Sequence, residues 1–517
     1  MTMLRPIQTL AAACAALSLT AMTPAARAQV AATDPVRVEG GLISGAIRDG
    51  ARVYLGVPYA AAPVGDLRWR PPQPVRPWSG IKAATAFSPV CRQTVSWIKE
   101  PQSEDCLYLN IWTPAAPAPH PLPVMVWIHG GGFFGGSGSQ PLYFGGHLVS
   151  QGVILVTLNY RLGVLGFYAS PQLSAEAADH ASGNQGIRDQ IAALAWVQRN
   201  IAALGGDPSR VTIFGESAGA NSVGVLVDSP LAKGLFQRAI AESGDDAVPI
   251  TPAEDHRFDR SAAEAAGAAF AQAAGASDLA ALRAIDADTL IHKPWSPHTV
   301  IDGQVLTADQ TTVYQAHRAN PVPILVGWNA DEGVDLGTDL LGSSQFDAAH
   351  RLALMQGVVF KPLTPALIAT YPGATDAQAK ASLVRFATDY WGWRMWRWAK
   401  LQTEAQAAPA YLYFFIHYPA EPNTPCGYGC HAGHGAEIPF VFNQLDQDPR
   451  QWSASDRQLA DQMIRYWTNF AKTGDPNGQG LPAWPAFDGA SGTIHRLGDA
   501  GEIAARGTVA DLAAFEP

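Results

Sequence analysis

The stretch "VTIFGESAGA", residues 211–220, places a serine between two glycines directly after an apolar run. The residues before Gly215 have the pattern of a strand, and those after Ser217 are compatible with a helix. A strand, a tight turn and a helix form the context of the nucleophile elbow, in which G-x-S-x-G presents a serine hydroxyl at the start of the helix. A match to three fixed residues is only a hypothesis. We predict that Ser217 is a nucleophile if the chain also supplies a base, an acid and oxyanion donors.

Further apolar or β-branched runs recur along the chain. They cover residues 123–129, 152–160, 210–214, 238–243, 321–328 and 410–416. Most lack strict alternation, which is typical of strands buried on both faces. Helical patterns, such as residues 184–207 and 455–472, lie between them. This alternation predicts an α/β fold with a mostly parallel central sheet and helices on both faces.

Three other regions complete this organisation. Residues 36–112 carry shorter alternating stretches and predict an antiparallel lead-in to the sheet. Residues 250–320 and 335–410 are helical by pattern and rich in alanine. We expect them to be helical insertions over the carboxyl edge of the sheet, where such folds bind ligands.

The amino terminus has a different character from the rest of the chain. Arg5 precedes the apolar stretch "LAAACAALSLTAM", and the small residues Ala26 and Ala28 fit a signal-peptidase site. The apolar core is too short to span a membrane, and no later segment has the length to do so. We predict a signal peptide at residues 1–28 and a single domain at 29–517, exported to the periplasm or the extracellular space. The alanine-rich composition and the absence of N-x-S/T acceptors suit a bacterial source.

Charge limits the range of partners. Removal of residues 1–28 takes away Arg5 and Arg27 and leaves 33 basic and 45 acidic residues, a net charge near −12. Nucleic acids and anionic membranes are bound through basic surfaces. We therefore expect neither partner, while a neutral small molecule is compatible with this charge.

Cleavage after Ala28 would also leave an even number of cysteines. These are Cys91, Cys106, Cys426 and Cys430. An even count in an exported chain indicates disulfides. Sequence proximity favours Cys91 with Cys106 and Cys426 with Cys430, although four cysteines allow three connectivities.

A serine hydroxyl is a weak nucleophile and needs donors for the oxyanion that develops on the substrate. The stretch "WIHGGGFFGG", residues 127–136, places glycines after a buried strand, where backbone amides can approach a tetrahedral intermediate. We assign this role to the N–H groups of Gly131, Gly132 and Ala218. No lysine follows these glycines at the spacing of a Walker sequence, which argues against a phosphate-binding loop.

The base and the acid are expected in the order serine, acid, histidine. His434 lies in the glycine-flanked segment "HAGHGAEIPFVF", which has the pattern of an exposed loop that enters an apolar helix or strand. For the acid, "GWNADEG", residues 327–333, follows a buried strand. Asp331 and Glu332 are adjacent there, so spacing leaves both open.

The chain carries a series of motifs that resembles the type-B carboxylesterase family, which includes cholinesterases and bile-salt lipases. The motifs are "EDCLYLNIW", "HGGGF", "NYRLGVLGF", "GNQGIRDQ", "DPSRVTIFGESAG", "VIDG", "DEG" and "HGAEIPFVF". They occur in the right order from about residue 35 to about residue 490. The resemblance implies an α/β-hydrolase fold and a triad of Ser217, Glu332 and His434. It also implies the oxyanion hole named above and a Cys91–Cys106 disulfide.

The resemblance suggests roles for three further residues. Glu216 and Ser243 occupy positions that belong to the hydrogen-bonded surround of the triad, although both also fit roles in helix capping or turns. The stretch "HKPWSPHT", residues 292–299, corresponds to a region that lines the acyl pocket in relatives, so Trp295 is a possible pocket residue. We expect Lys293 to turn to solvent rather than to line a polar pocket. Trp97 does not match the position of the choline-binding tryptophan, so choline specificity is not supported.

The segment "CGYGCHAGH", residues 426–434, raises an alternative, because two cysteines and two histidines are suitable zinc ligands. A metal-bound His434 could not accept the serine proton. We therefore favour a Cys426–Cys430 disulfide that stiffens this loop.

These residues predict an exported serine hydrolase that cleaves small-molecule carboxylic esters through an acyl-enzyme, with no metal and no cofactor. An acyltransferase or amidase with the same triad is the nearest alternative. A non-catalytic adhesion or binding module is the more distant one, because a binder does not need nucleophile, base, acid and donors together. The substrate and the oligomeric state are left open.

Overall fold

The computed structural model describes residues 32–244, 249, 251, 255–359, 361–419, 431–447, 450–489, 493–498 and 507–516. The predicted signal peptide and the predicted Cys426–Cys430 disulfide lie outside these residues. Within the described ranges, no helix combines the length and the apolar character that are needed to cross a membrane.

One large mixed sheet organises the described part of the chain. Its strands are β1 (Ala46–Arg48), β2 (Ala51–Pro58), β3 (Tyr108–Pro114), β4 (Leu122–Ile128), β5 (Ile154–Leu158), β6 (Gly206–Glu216), β7 (Arg238–Glu242), β8 (Ile324–Asn329), β9 (Ala410–Phe415) and β10 (His495–Leu497). They lie in the order β10-β9-β8-β7-β6-β4-β5-β3-β2-β1. Strands β4 to β10 run parallel to their neighbours within this set, and β1, β2 and β3 pair in antiparallel fashion. The predicted mostly parallel sheet is confirmed.

The strands agree with the apolar runs of the sequence, with one addition. The six predicted runs correspond to β4 to β9, and β6 begins four residues earlier than its run. The three-residue strand β10 was not predicted, because "HRL" contains no apolar run. It pairs with β9, so the sheet extends one strand further than the sequence indicates.

The amino-terminal lead-in contains two small sheets besides β1 to β3. One consists of Val36–Val38, Gly41–Ser44 and Ile81–Ala83, and the other of Val90–Cys91 and Gln102–Ser103. The predicted antiparallel pairing is found between the first two strands, while the pairs made by Ile81–Ala83 and by Gln102–Ser103 run parallel. Cys91 and Cys106 form a disulfide, as predicted.

Helices connect the strands. Five are numbered for use below: α1 (Gln185–Asn200), α2 (Ala218–Asp228), α3 (Glu332–Leu341), α4 (Asp376–Glu404) and α5 (Ala454–Thr473). Shorter helices and Arg260–Ala273 complete the set: Gly146–Ser150, Gly163–Gly166, Pro171–Glu176, Asp255–Phe258, Leu279–Ala284, Ala287–Ile291, Gln310–Gln315, Arg351–Val358, Pro365–Thr370, Ile438–Val441 and Val509–Ala513. The two regions predicted to be helical insertions are largely helical. Within the second, α4 connects β8 to β9 and packs against both strands.

The centre of the sheet is buried on both faces. Every residue of β4 from Val124 to Ile128 is fully buried. Trp127 lies edge-on to Phe214 and to Phe442, with ring centroids 4.9 and 5.0 Å apart. Burial of one such side chain contributes about 1.5–3 kcal/mol, so this packing holds the carboxyl ends of β4 and β6 firmly in place.

Candidate active site

Ser217 lies at the sharp turn between β6 and α2. Its backbone has φ 56° and ψ −126°, a strained conformation for a residue with a side chain. A Cβ atom at Gly219 would lie 2.0 Å from the carbonyl oxygen of Ile128, and one at Gly215 would lie 2.6 Å from the same atom. Only glycine fits at both positions, which explains why the serine stands between two glycines.

His434 and Glu332 form a buried pair. Nδ1 of His434 lies 2.6 Å from Oε2 of Glu332, and both side chains are almost completely buried. Glu332 is the first residue of α3, and its second oxygen accepts a hydrogen bond from the N–H of Asn329 at 2.9 Å. Both oxygens of Glu332 are therefore held by hydrogen bonds, and the carboxylate fixes the Nδ1 edge of the imidazole ring.

The two adjacent acids that the sequence left open lie in different positions. The N–H of Asp331 donates to the carbonyl oxygen of Ala432, and its carboxylate is not recorded in contact with His434. Asp335, one turn further along α3, accepts a hydrogen bond from the backbone N–H of His434 at 2.9 Å. Helix α3 thus positions the histidine through its backbone as well as its ring.

Glu216 occupies the other side of the imidazole. Its Oε1 atom lies 3.1 Å from Nε2 of His434. Within the described ranges, no hydrogen bond joins the hydroxyl of Ser217 to His434, so Nε2 faces Glu216 in this resting state. Catalytic hydrogen bonds are often long or poorly aligned before substrate binds.

The glycine loop lies against the serine. A Cβ atom at Gly130 would lie 3.0 Å from Cβ of Ser217 and 2.8 Å from Oε2 of Glu216. A Cβ atom at Gly435 would lie 3.3 Å from Oε1 of Glu216. The glycine loop, the elbow and the histidine loop therefore converge around Glu216 and Ser217.

Three backbone amides are free to act as oxyanion donors. Gly131 and Gly132 have φ values of 99° and 59°, and a Cβ atom at Gly131 would lie 2.2 Å from the carbonyl oxygen of Gly135. Ala218 is the first residue of α2, where an N–H group has no partner within the helix. None of the N–H groups of Gly131, Gly132 and Ala218 donates a hydrogen bond within the described part of the chain. The amides selected from the sequence are therefore available.

Two buried glutamates were missed by the sequence reasoning. Glu242 accepts a hydrogen bond from Nε1 of Trp467 at 2.7 Å, and Glu437 accepts one from the side-chain amide of Asn329. Burial raises the pKa of Glu216 to about 7 and that of Glu437 to about 8, and it raises the pKa of Glu242 well above its usual range. Glu437 follows His434 in "HGAE", and Glu242 precedes "SG", but a glutamate in an apolar run does not reveal from sequence that it is buried.

The carboxylates change the proton affinity of the histidine. Burial alone would lower the pKa of His434, but the negative charges of Glu216 and Glu332 outweigh it and raise the pKa to about 10. With this pKa the ring is protonated at neutral pH while both carboxylates are charged, and only its neutral form can take a proton from a hydroxyl.

Aromatic side chains border these residues. The ring of Trp391 on α4 lies edge-on to His434, with centroids 6.1 Å apart. Phe134 and Trp97 are about half exposed. A Cβ atom at Gly132 would lie 2.3 Å from the ring of Phe134, and one at Gly135 would lie 3.2 Å from the ring of Trp97. Trp391 and Phe134 were not selected from the sequence, since aromatic residues usually pack in the core.

Ser243 and Trp295 are placed differently from each other. Ser243 follows β7, is fully buried, and its N–H donates to the carbonyl oxygen of Gly327 at 2.8 Å.

Trp295 packs with Tyr168 and Phe270 in a separate apolar cluster, with ring centroids 5.7 and 5.3 Å away. No recorded ring contact joins Trp295 to His434 within the described residues.

The neighbours of Trp295 are turned outwards. Nζ of Lys293 donates to the carbonyl oxygen of Ala273 at 3.2 Å, in an exposed position. As for the zinc alternative, the described ranges contain no group of three potential metal ligands, and Cys426 and Cys430 lie outside those ranges.

The sequence matches the carboxylesterase family over residues 32–511. It is 37% identical to the fumonisin B1 esterase of Sphingopyxis macrogoltabida over 478 residues, which cover 87% of this chain and 84% of that protein. It is 35% identical to the para-nitrobenzyl esterase of Bacillus subtilis (strain 168) over 483 residues, 87% of this chain and 92% of that protein. It is 36% identical to the liver carboxylesterase of Sus scrofa over 503 residues, 86% and 84% of the two chains.

Solved structures give the same result. A PNB esterase superimposes with a TM-score of 0.72 at 34% identity, covering 88% of this chain and 93% of that chain. A thermophilic PNB esterase gives a TM-score of 0.75 at 34% identity, covering 90% and 96%. These enzymes are α/β-hydrolases, so the fold that the resemblance implied is confirmed.

Proposed function

The chain belongs to the carboxylesterase family and is a carboxylic ester hydrolase, and from this premise we propose that it is a serine hydrolase with Ser217 as nucleophile. The observation that carries the proposal is the buried His434–Glu332 pair, 2.6 Å apart, whose histidine also lies 3.1 Å from Glu216, the residue before Ser217. Acyl transfer requires a nucleophile, a base held by an acid, and amide donors for the oxyanion. The strained serine, the His434–Glu332 pair and the amides without hydrogen-bond partners meet these requirements.

The first half of the reaction forms an acyl-enzyme. The substrate carbonyl oxygen binds towards the N–H groups of Gly131, Gly132 and Ala218. His434 takes the proton from the Ser217 hydroxyl as its oxygen attacks the carbonyl carbon, and the amides stabilise the oxyanion. The tetrahedral intermediate then collapses. The bond to the alcohol oxygen breaks, and His434 gives its proton to the leaving alcohol.

The second half releases the acid. Water attacks the acyl carbon while His434 takes one of its protons, and a second tetrahedral intermediate forms. Its collapse breaks the bond to Ser217, which recovers its proton from His434. The carboxylic acid leaves and the enzyme returns to its starting state.

Glu332 serves as the orienting acid in this proposal. Its carboxylate accepts a hydrogen bond from the N–H at Nδ1 of His434, so the lone pair lies on Nε2 and can act as base. It also stabilises the imidazolium that forms during each half-reaction. The contact of its other oxygen with the N–H of Asn329 supports this role, since a carboxylate held at both oxygens keeps the ring in one orientation.

We propose esters with a bulky apolar or aromatic group as substrates. Phe134 and Trp97 expose aromatic surface beside the glycine loop, and Trp391 lies against the ring of His434. Aromatic faces attract apolar groups through their large contact area. The name of one relative, para-nitrobenzyl esterase, contains an aromatic group and is in line with this.

We also propose that the protein is exported and works as one domain from residue 29 onwards. The Cys91–Cys106 disulfide supports export, because disulfides persist in oxidising compartments. The amino-terminal pattern of Arg5, an apolar stretch and a small-residue site points the same way.

The test is kcat/KM for p-nitrobenzyl, p-nitrophenyl and aliphatic esters, measured for the wild type, Ser217→Ala and Ser150→Ala. Ser150 is exposed and its hydroxyl donates to the carbonyl oxygen of His147, so it is the matched control. We expect Ser217→Ala to lose at least about 10³-fold and Ser150→Ala to be unchanged. Equal rates for the wild type and Ser217→Ala would refute the proposed nucleophile. Phe134→Ala should raise KM for the aromatic esters more than for the aliphatic ones.

A further inference from the structure

Two loops meet beside the elbow. The disulfide loop, residues 91–106, is closed by Cys91 and Cys106. The oxyanion loop, residues 129–139, contains the glycines whose amides face the proposed substrate. The two loops are joined by side chains of the first that hydrogen-bond to the second.

Gln93 makes the main connection. It is 5% exposed, and its side chain forms a reciprocal pair with Gly136. Its Nε2 donates to the carbonyl oxygen of Gly136 at 2.9 Å, and the N–H of Gly136 donates to its Oε1 at 2.8 Å. The amide therefore satisfies both backbone groups of one residue in the oxyanion loop.

The disulfide loop in turn holds Gln93. Its Nε2 also donates to the carbonyl oxygen of Cys91 at 2.9 Å, and its backbone N–H donates to Oε1 of Gln102 at 2.9 Å. Both partners lie within the loop that the disulfide closes. Hydrogen bonds within the disulfide loop thus fix the orientation of the Gln93 amide that bonds Gly136.

Gly136 connects Gln93 to the turn that contains the proposed oxyanion donors. It has a φ of 110°, and a Cβ atom there would lie 2.7 Å from the carbonyl oxygen of Gly130. The preceding residues form a tight turn in which the N–H groups of Phe134 and Gly135 donate to the carbonyl oxygen of Gly131 at 3.0 and 2.9 Å. A shift of Gly136 would therefore move the peptide groups at Gly131.

A second connection lies beside the first. Glu100, also in the disulfide loop, accepts hydrogen bonds from the hydroxyls of Ser137 and Ser139 at 3.2 and 3.3 Å. These bonds are longer than those of Gln93 and involve side chains rather than the backbone. They anchor the end of the oxyanion loop, while Gln93 holds the residue next to the turn.

We propose that Gln93 is a positioning residue of the oxyanion hole. It links the disulfide loop to the turn that aims the N–H groups of Gly131 and Gly132, so that these amides meet the oxyanion in the transition state. The proposal rests on the function proposed above. Its consequence is that loss of the amide lowers kcat with little change in KM, because ground-state binding does not depend on the oxyanion donors.

The experiment compares Gln93→Met with the wild type. Methionine keeps the length of the side chain and removes its hydrogen bonds. The readouts are kcat, KM and the inhibition constant of an aryl trifluoromethyl ketone, whose hemiketal oxygen occupies the oxyanion hole. We expect kcat to fall about 10- to 100-fold, the inhibition constant to rise by a similar factor, and KM to stay within about threefold.

Gln198→Met is the matched control. Nε2 of Gln198 in α1 also donates to two backbone carbonyls, those of Pro208 and Leu235, at 2.8 and 2.9 Å. We expect this variant to lose thermal stability but to keep kcat and the inhibition constant. Gln93→Ser, which leaves room for water to bond Gly136, is the second variant if Gln93→Met shows no cooperative melting.

The outcomes separate the two proposals. Unchanged kcat and inhibition constant in a folded Gln93 variant would overturn the positioning role while the wild type still hydrolyses esters. Equal losses in Gln93→Met and Gln198→Met would also overturn it, since they would reflect a general loss of structure. A wild type that neither hydrolyses esters nor forms the hemiketal would overturn both proposals.

Discussion

Oε1 of Glu216 lies 3.1 Å from Nε2 of His434, on the side of the ring opposite to the nitrogen that meets Glu332. The imidazole therefore lies between two carboxylates. This arrangement stabilises the protonated ring. In the proposed mechanism, Nε2 must turn from Glu216 towards the hydroxyl of Ser217 before it can take a proton. The charge of Glu216 and the activity should thus be coupled.

The first prediction concerns the pH dependence of activity. Glu216→Gln removes a negative charge next to Nε2, so the protonated ring is less stabilised and the pKa of His434 falls from about 10. The base form then exists at lower pH, and the acid limb of kcat/KM moves to lower pH by about 1 to 3 units. Profiles measured from about pH 6 to about pH 11, which bracket the pKa of about 10, test this. Glu39→Gln at the surface is the control, and identical limbs in wild type and Glu216→Gln would contradict the coupling.

The second prediction separates the two acids that the sequence left open. Glu332→Gln keeps the size of the side chain but cannot hold the proton on Nδ1 in the same way, so kcat should fall by about 10⁴. For Asp331→Asn, kcat should fall by less than about tenfold, because Asp331 makes no hydrogen bond to His434 in the described part of the chain. Steady-state kinetics decide between them. Comparable losses in the two variants would show that the 2.6 Å contact is not the functional one.

The third prediction concerns the close approach at the elbow. Gly219→Ala would place a Cβ atom 2.0 Å from the carbonyl oxygen of Ile128. The strain should cost about 1 to 3 kcal/mol in the free energy of unfolding, and the displaced turn should lower kcat. Gly357→Ala, at an exposed position of the helix Arg351–Val358 with open space around it, should instead gain about 0.5–1 kcal/mol. Denaturant unfolding measures both, and equal effects would argue against the steric account.

The fourth prediction links a buried carboxyl to stability. Burial raises the pKa of Glu242 well above its usual 4.5, so the folded protein holds a proton that the unfolded chain has lost. Stability is then fully present below about pH 4.5 and falls as pH rises towards the folded pKa, by about 1.4 kcal/mol per unit. Glu242→Gln cannot titrate and can still accept the bond from Trp467, so its stability should fall less between pH 5 and pH 8.

Glu404→Gln on the exposed side of α4 is the control for this comparison. Melting temperatures of the three proteins across that range supply the test. Parallel curves for the wild type and Glu242→Gln would mean that Glu242 does not hold a proton in the folded state.

The sequence predicted the sheet well because its strands are buried. Runs such as residues 152–160 are largely apolar over a length that suits a strand, and the observed β5 lies within that run. By contrast, β10 has only three residues, and its pairing with β9 depends on tertiary contacts that no local pattern records. The elbow was predictable because its two glycines are required by contact with the backbone of Ile128.

The surroundings of the candidate site were harder to predict. Asp331 and Glu332 are neighbours in the chain, and only the start of α3 at Glu332 turns one of them to the histidine. Glu242 and Gln93 carry no sign in the sequence that they are buried. Their roles arise from contacts with residues far away in the chain, Trp467 and Gly136, which spacing does not reveal.

The backbone of Ser217 has a consequence for the use of this protein in biotechnology. A φ of 56° with ψ −126° is a conformation that glycine adopts freely and that side chains resist. Replacement of Ser217 by glycine should therefore yield an inert protein that survives heating better than the active one. Selection for thermal stability alone would favour loss of the serine and of the proposed activity. Directed evolution of this chain must therefore screen turnover in every round.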